Sequence, residues 1–285
     1  MTLIDGKSIS AKVKDEIKSA ASDLAAKGVK PALAVILVGE DAASKTYVAS
    51  KEKACAACGI RSVAHRLSSD VSEAALLELI ENLNEDESID GILVQLPLPK
   101  HIDTNKILET ISPQKDVDGF SAINVGKLTS GLSDGFVPCT PLGVMRLLEE
   151  YGVQIAGKNA VVLGRSNIVG KPMASLLLNA DATVTIAHSK TKDLKRLCAD
   201  ADILVVAVGR AHFVGADMVK QGAVVIDVGI NRDEDGKLRG DVDFDAVAPK
   251  CSFITPVPGG VGPMTIAMLL SNTIKSAKNR LKQRA

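Results

Sequence analysis

The chain has 285 residues, of which 46% are hydrophobic and 2% aromatic, and its 34 basic and 34 acidic residues give no net charge. This composition favours a globular protein of two domains with a core of aliphatic side chains. It argues against nucleic acid as a partner, because the charge is balanced and aromatic stacking platforms are scarce. Since no apolar run reaches the length of a membrane span, we expect a cytoplasmic protein without a membrane partner.

The cysteines and histidines give no pattern of a metal site. Five cysteines, an odd number, are typical of reduced thiols rather than of a disulfide framework. Cys55 and Cys58 have the spacing of a zinc-binding pair, but neither a second pair nor a nearby histidine completes such a site. We therefore interpret the two cysteines as small core residues of a helix and predict no bound metal.

Helical and strand patterns alternate along the first half of the chain. Apolar residues recurring every four positions from Ile9 predict a helix, which Ser8 or Ser10 could cap and Gly28 can end. Continuous aliphatic runs predict two strands buried on both faces, with helices between them. This alternation predicts a parallel sheet flanked by helices, with strands at 33–38 and 91–96 and helices around 47–51 and 76–83.

A second alternating series follows a turn-rich stretch between Pro113 and Pro141, where we place a domain boundary. Strands about 20 residues apart predict a doubly wound nucleotide-binding domain of the Rossmann type. The fold class is therefore α/β, with an N-terminal α/β domain at 1–138, a Rossmann-type domain at 139–264 and a last helix at 265–285 that lies beyond the second sheet. The strands of the second domain are predicted at 159–163, 183–187, 203–208 and 224–228, with a short one near Phe253.

A glycine-containing turn between Gly164 and Gly170 links the first strand of the second domain to a helix. Its spacing excludes a P-loop, and Ser166 stands where the dinucleotide fingerprint has its second glycine, so a plain strand–turn–helix also stays open. The next strand ends without the carboxylate that usually meets a ribose 2′-hydroxyl. Because Arg165 and Ser189 suit a 2′-phosphate instead, the sequence predicts NADP as the cofactor.

Four polar residues of the first domain are candidates for chemistry. Tyr47 and Lys51 lie four residues apart, so they share a helix face and could handle protons together. Gln95 ends a buried strand, where open α/β sheets bind their ligands. Asp118 precedes a glycine, and Asp-Gly is more often a simple turn. An ordinary surface lysine and an ordinary turn therefore stay open as alternatives.

Three prolines and three glycines lie between Thr255 and Thr265. Proline fixes the backbone and glycine lets another molecule approach it, so we interpret this stretch as a wall facing a ligand. The alternative is a rigid turn before a helix that opens at Thr265.

Five motifs in this order resemble those of the bifunctional methylenetetrahydrofolate dehydrogenase/cyclohydrolase family: 46–55, 91–99, 115–119, 164–172 and 255–265. The resemblance implies a homodimer, a small-molecule folate substrate and an active-site cleft between the two domains, with the C-terminal helix at 265–285 joined to the N-terminal domain. It implies that Asp118 matches the carboxylate that grips the pterin, and that Asp118 acts together with Tyr47, Lys51 and Gln95 in catalysis and substrate binding. The positions matching cofactor contacts are Gly164, Arg165, Ser166, Ser189 and Ile230, and those forming the wall beside the folate are Pro258, Gly259 and Gly262.

The function implied by the resemblance is the oxidation of 5,10-methylenetetrahydrofolate with NADP, followed by hydrolysis of the methenyl product to 10-formyltetrahydrofolate. Two other hypotheses stay open at this point. One is a different two-domain NADP-dependent dehydrogenase of the shikimate type, which also works with lysine and aspartate. The other is a nucleotide-binding module without catalytic activity.

Overall fold

The computed structural model describes residues 1–283, which form two compact units, each with its own parallel sheet. The N-terminal unit comprises Lys12–Cys139 and the chain from Ile266 onward, and the Rossmann unit comprises Met1–Ala11 and Thr140–Thr265. The predicted two-domain α/β class is confirmed. Arg284 and Ala285, which end the predicted C-terminal segment, lie outside the described residues. No helix within residues 1–283 is long and apolar enough to cross a membrane.

Strands and helices alternate along the described chain. In order they are β1 (Thr2–Leu3), α1 (Gly6–Ala26), β2 (Ala32–Val38), α2 (Ala42–Ala57), β3 (Arg61–Leu67), α3 (Glu73–Glu85), β4 (Gly91–Val94), α4 (Thr104–Thr110), α5 (Ala122–Thr129), α6 (Cys139–Glu150), β5 (Asn159–Leu163), α7 (Gly170–Asn179), β6 (Thr183–Ala187), α8 (Leu194–Ala199), β7 (Ile203–Val206), β8 (Val224–Asp227), β9 (Asn231–Arg232), β10 (Leu238–Arg239), α9 (Phe244–Val247), β11 (Phe253–Ile254) and α10 (Val261–Gln283).

The sheet of the N-terminal unit has three parallel strands in the order β3-β2-β4. All seven residues of β2 are buried, as its uninterrupted aliphatic run predicts for a central strand. One core cluster joins β2 and β4 to the apolar faces of α3 and α4, through residues such as Ile36, Ile80, Ile92 and Ile107. This packing fixes the carboxyl end of β4, where Gln95 lies.

The Rossmann unit is built on a six-stranded sheet in the order β1-β11-β8-β7-β5-β6, and every pairing in it is parallel. Crossovers on both sides of β5 give the doubly wound arrangement, which places ligands outside the carboxyl ends of the strands. The core cluster of this unit contains buried residues of β5, β7 and β8, including Val161, Leu204 and Val225.

Residues 1–11 group with the Rossmann unit, whereas the sequence placed them in the first domain. The reason is that β1 pairs with β11, where the Ile4 amide also donates to the Ile254 carbonyl at 2.8 Å. The predicted serine cap of α1 is wrong as well. The helix begins at Gly6, and Asp5 Oδ1 accepts from the amides of Lys7 and Ser8 instead.

The C-terminal helix packs in the N-terminal unit, as the resemblance implies. Asn272 Nδ2 donates to the carbonyls of Val117 and Val137 at 2.8 and 3.0 Å. Two turns further on, Arg280 forms a two-point ion pair with Asp90, at 2.7 and 3.0 Å. Asp90 is 1% exposed and also accepts from the Ala32 amide, so this ion pair joins the helix to the start of β2.

Candidate active site

Helix α2 presents Tyr47 and Lys51 on one face. Asp41 caps this helix by accepting a hydrogen bond from the Ser44 amide, which fixes where its first turn begins. Lys51 is 8% exposed, and the alternative of an ordinary surface lysine is therefore wrong. Tyr47, one turn earlier, is 38% exposed, and burial of its ring raises the pKa of the phenol.

Lys51 and Gln95 form a direct hydrogen bond. Gln95 follows β4, and its amide extends the pairing with β2 by donating to the Ile36 carbonyl at 2.8 Å. Its side-chain Oε1 accepts from Lys51 Nζ at 2.9 Å, while its Nε2 donates to the Leu96 carbonyl at 2.7 Å. Both ends of the amide are thus satisfied, so its orientation is set and the lysine is held at a defined point.

Asp118 comes to the same end of the sheet because the segment before it runs beside β4. The Ile92 amide donates to the Lys115 carbonyl at 2.8 Å, and Ile92 and Asp116 form a parallel bridge. Desolvation raises the pKa of the half-buried Asp118, and the positive charge of Lys51 and the Cys139 thiol partly oppose that rise. Lys51, Gln95 and Asp118 therefore form one cluster of interacting polar groups.

The turn that carries Asp118 is built by its neighbour Asp116. Asp116 is 2% exposed, and its two carboxylate oxygens accept hydrogen bonds from the amides of Gly119, Phe120 and Ser121 and from Asn124 Nδ2. Gly119 has a φ of 72°, and a Cβ there would lie 2.7 Å from the Val137 carbonyl carbon. Asp116 is thus the supporting turn residue that its sequence context indicates, which leaves the Asp118 carboxylate available for another partner.

Cys139 and Asn272 belong to the same cluster, and sequence reasoning did not identify them. The Cys139 thiol donates to the Val117 carbonyl at 3.3 Å and lies beside the Asp118 carboxylate. Burial and the neighbouring Asp118 raise the pKa of this thiol well above its ordinary value. Asn272 lies 3.8 Å from the Cys139 sulfur. A cysteine beside proline residues and an asparagine within a helix give no sequence signal for such a contact.

The turn between β5 and α7 depends on its glycines. Gly164 has a φ of 125°, and a Cβ there would lie 2.2 Å from the Ala207 carbonyl oxygen. A Cβ on Gly170 would lie 2.3 Å from the Gly164 carbonyl oxygen. The chain therefore folds back closely on itself as it enters α7, which is the role of glycine in dinucleotide-binding turns.

Arg165 and Ser189 follow the ends of two paired strands. Leu163 and Ala187 are register partners in β5 and β6, and the Gly164 amide continues the pairing by donating to the Ala187 carbonyl at 2.8 Å. Arg165 and Ser189 each come two residues after these partners, and both are exposed. A guanidinium and a hydroxyl thus follow the carboxyl ends of two neighbouring strands, with no carboxylate among the five residues after either strand.

Ser166 has a structural role that can accompany ligand binding. Its Oγ accepts hydrogen bonds from the amides of Val169 and Gly170 at 3.1 and 3.3 Å, and its carbonyl accepts from the Lys171 amide at 3.0 Å. A hydroxyl has two lone pairs and one proton. With both lone pairs used inside the turn, the proton is the part of Ser166 that can be donated to an anionic ligand.

The proline- and glycine-rich stretch packs against the start of α1. The Gly259 carbonyl accepts a hydrogen bond from the Lys7 amide at 3.1 Å, and a Cβ on Gly6 would lie 1.8 Å from the Gly260 carbonyl oxygen. Pro258 is exposed, and a Cβ on Gly262 would be 3.6 Å from the side chain of Ile230, which is itself 47% exposed. The helix begins at Val261, not at Thr265 as the sequence predicts, so Gly262 lies in its first turn.

All five cysteines are free and buried, which confirms the predicted core positions of Cys55 and Cys58. Among the described residues no group of three or more histidine, cysteine, aspartate or glutamate side chains could hold a metal ion.

Two family models match the chain. The catalytic domain of tetrahydrofolate dehydrogenase/cyclohydrolase matches residues 4–118, and the NAD(P)-binding domain of the same family matches residues 138–281. Together they cover most of the sequence, including all the candidate site residues.

Individual relatives match over nearly their whole length. The bifunctional protein FolD of Campylobacter hominis is 71% identical over 283 residues, 99% of each chain. The crystal structure of the bifunctional enzyme FolD from Campylobacter jejuni is 59% identical, with a TM-score of 0.97 over 98% of this chain and 99% of that one. The Trypanosoma brucei methylenetetrahydrofolate dehydrogenase-cyclohydrolase, solved with NADP cofactor and an inhibitor, is 42% identical, with a TM-score of 0.94 over 100% and 99% of the two chains.

Proposed function

The chain belongs to the tetrahydrofolate dehydrogenase/cyclohydrolase family, and on that premise we propose how its own residues carry the two reactions. It is an NADP-dependent methylenetetrahydrofolate dehydrogenase and methenyltetrahydrofolate cyclohydrolase. It oxidises 5,10-methylenetetrahydrofolate to the 5,10-methenyl compound and hydrolyses that compound to 10-formyltetrahydrofolate. The high sequence identity to bifunctional FolD proteins over nearly the whole chain does not favour the shikimate-type dehydrogenase or the nucleotide-binding module without catalytic activity.

The observation that carries the proposed site is the hydrogen bond between Lys51 and Gln95, beside Asp118. Asp118 binds the pterin, because a carboxylate has two acceptors side by side and the heterocycle has adjacent amino and ring N–H donors. The turn built by Asp116 supports this role, since it fixes the backbone of Asp118 without using the Asp118 side chain.

Lys51 moves protons in the hydrolytic step. As water adds to the methenyl carbon and the bond from that carbon to the ring nitrogen breaks, the water oxygen loses two protons, of which one goes to the departing nitrogen and the other is released to solvent. A lysine ammonium has three donors, of which one is occupied by Gln95 Oε1. The other two can be donated to the reacting groups, and a positioned acid–base group contributes about 10²–10⁴-fold. Gln95 and Tyr47 orient the lysine and the substrate.

The residues of the Rossmann unit fit NADP. Arg165 and Ser189 come from adjacent strand ends and suit the charge of a 2′-phosphate, and the Ser166 hydroxyl has a proton to donate. The close turn at Gly164 and Gly170 has the backbone approach that a dinucleotide needs. When bound, NADP supplies the acceptor for the hydride that leaves the methylene carbon. Ile230 and Gly262, together with Pro258 and Gly259, form an apolar surface that excludes water around it.

Two assays on one preparation test this function. Oxidation of methylenetetrahydrofolate is followed by the absorbance of the reduced cofactor, with NADP and with NAD. Hydrolysis is followed by the loss of methenyltetrahydrofolate without any cofactor. We expect both activities, with NADP preferred. Absence of either activity from a folded protein would contradict the bifunctional assignment.

We further propose that the enzyme is a cytoplasmic homodimer. The five free thiols support a reducing compartment. The strand β6 lies at an edge of its sheet, where Ile186 is 40% exposed, and Leu178 of the preceding helix is 61% exposed. Exposed apolar side chains beside an unpaired strand are typical of an interface between subunits. Sedimentation at micromolar concentration should give the mass of two chains.

A further inference from the structure

Two buried carboxylates in the Rossmann unit lie outside the site described above. Asp227, the last residue of β8, is 3% exposed, and Asp241, which follows β10, is not exposed at all. Burying two acids near each other is costly unless their oxygens are hydrogen-bonded. Each oxygen of both residues is hydrogen-bonded, and the donors come from separate loops.

Asp241 connects the loop after β7 by hydrogen bonds to Asn231, which begins β9 directly after the loop that follows β8. Its Oδ2 accepts from the amides of Val208 and Gly209 at 2.6 and 2.9 Å. Its Oδ1 accepts from the Arg210 amide at 2.8 Å and from Asn231 Nδ2 at 2.9 Å. Three consecutive amides of one loop and the Asn231 side chain therefore converge on a single carboxylate.

Asp227 connects the loop after β8 by hydrogen bonds to the segment that carries Asp241. Its Oδ1 accepts from the amides of Gly229 and Asp241, both at 2.9 Å, and its Oδ2 accepts from the Val242 amide at 2.9 Å. Its own amide donates to Thr255 Oγ1 at 2.8 Å. Thr255 is 1% exposed and begins the proline- and glycine-rich stretch, so that stretch is joined to the same network.

Two glycines make room for the two carboxylates. A Cβ on Gly240 would lie 1.8 Å from Asp227 Oδ2, and a Cβ on Gly229 would lie 2.4 Å from Asp241 Oδ1. Asp227 thus occupies the space beside Gly240, the residue before Asp241, and Asp241 occupies the space beside Gly229, two residues after Asp227. The arrangement cannot accept a side chain at either glycine without moving the loops.

The loops held by this network stand where a Rossmann sheet binds its ligand. The strands β7 and β8 are neighbours in the sheet, and dinucleotides bind outside the carboxyl ends of such strands. Ile230, the candidate cofactor contact, lies between two residues that hydrogen-bond to the carboxylates. The Gly229 amide donates to Asp227, and the Asn231 side chain donates to Asp241.

We propose that Asp227 and Asp241 are positioning residues for NADP: they hold the loops after β7 and β8 in the shape that binds the cofactor. This inference rests on the NADP-dependent dehydrogenase activity stated above. It adds two residues that do not touch the substrate and act through backbone amides. Their effect should appear in cofactor affinity and not in the cofactor-independent hydrolysis of methenyltetrahydrofolate.

The test compares three aspartate-to-asparagine variants in the otherwise intact enzyme. In Asp241→Asn the new NH₂ group faces two donors in either orientation, so NADP affinity should fall about ten- to hundredfold. In Asp227→Asn the NH₂ group can turn toward Val242 alone, and the loss should be smaller. Asp245→Asn, an exposed change four residues after Asp241, is the matched control and should leave NADP affinity unchanged.

The measurements are the dissociation constant for NADP by calorimetry, the KM for NADP and the kcat of the dehydrogenase, and the rate of hydrolysis without cofactor. We expect the KM for NADP to rise most in Asp241→Asn, less in Asp227→Asn and not at all in Asp245→Asn. The kcat should stay nearly constant, and the rate of hydrolysis should stay within about twofold of that of the parent enzyme. Hydrolysis falling in step with NADP affinity would mean a general structural role and would overturn the proposal.

A second variant covers the case in which Asp241→Asn does not fold. Asn231→Ala removes the side-chain hydrogen bonds to Asp241 and to the Arg239 carbonyl and leaves Asp241 with three backbone donors, so we expect a several-fold loss of NADP affinity with hydrolysis intact. Unchanged NADP affinity in this variant would overturn the proposal. A parent enzyme that is inactive with NADP would instead contradict the assigned function, which keeps the two failures distinct.

Discussion

Lys51 is a buried amine that donates a hydrogen bond to the side chain of Gln95. The two reactions make different demands on it. Hydride transfer is chiefly a matter of placing two carbon atoms close together. Hydrolysis also requires protons to move as water adds and the ring opens. The difference allows the role of the lysine to be separated from mere substrate positioning.

We expect Lys51→Met to abolish hydrolysis and to leave measurable dehydrogenase activity, so that the methenyl product accumulates. Methionine keeps much of the side-chain length and removes the ammonium, and the loss of hydrolysis should be about 10²-fold or more. Both steps are assayed on the same folded variant. Lys53→Met, an exposed position on the same helix, is the control and should leave both activities intact. Equal losses in the two steps would mean that Lys51 only positions the substrate.

We expect Asp118→Asn to impair both activities through folate binding, because an NH₂ group then faces the donors of the pterin. NADP affinity, measured by titration without folate, should be nearly unaffected. The raised pKa of Asp118 adds a pH test. Folate affinity of the parent enzyme should weaken as pH falls through that raised pKa, since only the ionised carboxylate offers two acceptors. The variant should show no such pH dependence, and a parallel loss of NADP affinity would count against the pterin assignment.

At the scale of elements, the sequence predicts best those segments that are stabilised by their own pattern. The strands β5 and β6 have the predicted bounds. Residues 160–163 of β5 are a continuous aliphatic run, which suits a strand with helices on both sides, and β6 is rich in β-branched residues, which favour strands. The strand β3 escaped prediction because Arg61, Ser62, His65 and Arg66 interrupt its apolar residues. It is an edge strand, and only its pairing with the buried β2 explains it.

The candidate site divides in the same way. Arg165 and the missing carboxylate after β6 can be read locally, so the preference for NADP follows from the sequence. The bond between Lys51 and Gln95 joins residues 44 positions apart, and the contact of Asn272 with Val117 spans 155. Such contacts depend on the packing of whole elements. Family resemblance indicated Lys51 and Gln95 together, whereas Asp227 and Asp241 gave no signal beyond an acid near a glycine. The roles of the site residues and the cleft between the domains stay predictions.

The turn after β5 gives a prediction about cofactor choice. Arg165→Ala should weaken NADP about ten- to hundredfold and leave NAD almost unaffected, because a charge-assisted hydrogen bond of about 1.5–3 kcal/mol is lost only with the 2′-phosphate. The readout is kcat/KM with each cofactor. Lys158→Ala, which removes a positive charge before the opposite end of β5, is the matched control. Equal efficiency of the parent enzyme with NAD and NADP would contradict the assignment.

At the scale of the molecule, Asp227 makes stability depend on pH. Desolvation, aided by the neighbouring Asp241, raises the pKa of Asp227 from 3.8 to about 6, although three backbone amides favour the ionised form. A carboxyl whose folded pKa is raised contributes stability that is fully present below pH 3.8 and is lost as pH rises through about 6. The shift corresponds to about 3 kcal/mol at most.

We therefore expect the free energy of unfolding of the parent, minus that of Asp227→Asn, to decrease between pH 4 and pH 7 by up to about 3 kcal/mol. Taking the difference cancels the opposite trend of the surface carboxylates whose pKa is lowered, such as Glu73 and Asp202. Because the chain has no tryptophan, urea unfolding is followed by circular dichroism. The exposed change Asp235→Asn serves as control. Parallel curves for parent and Asp227→Asn would remove Asp227 as the source of the pH dependence.

Both units are assembled from distant parts of the chain, and this affects how the protein forms on the ribosome. The strand β1 is synthesised long before its partner β11, which begins at Phe253. Asp90 is likewise synthesised 190 residues before Arg280, with which it forms an ion pair. Neither unit can close before these later segments have been synthesised, so apolar surface stays uncovered until then. A chain truncated before Arg280 would therefore bury Asp90 without its counter-charge, and we expect such a chain to be degraded or to aggregate.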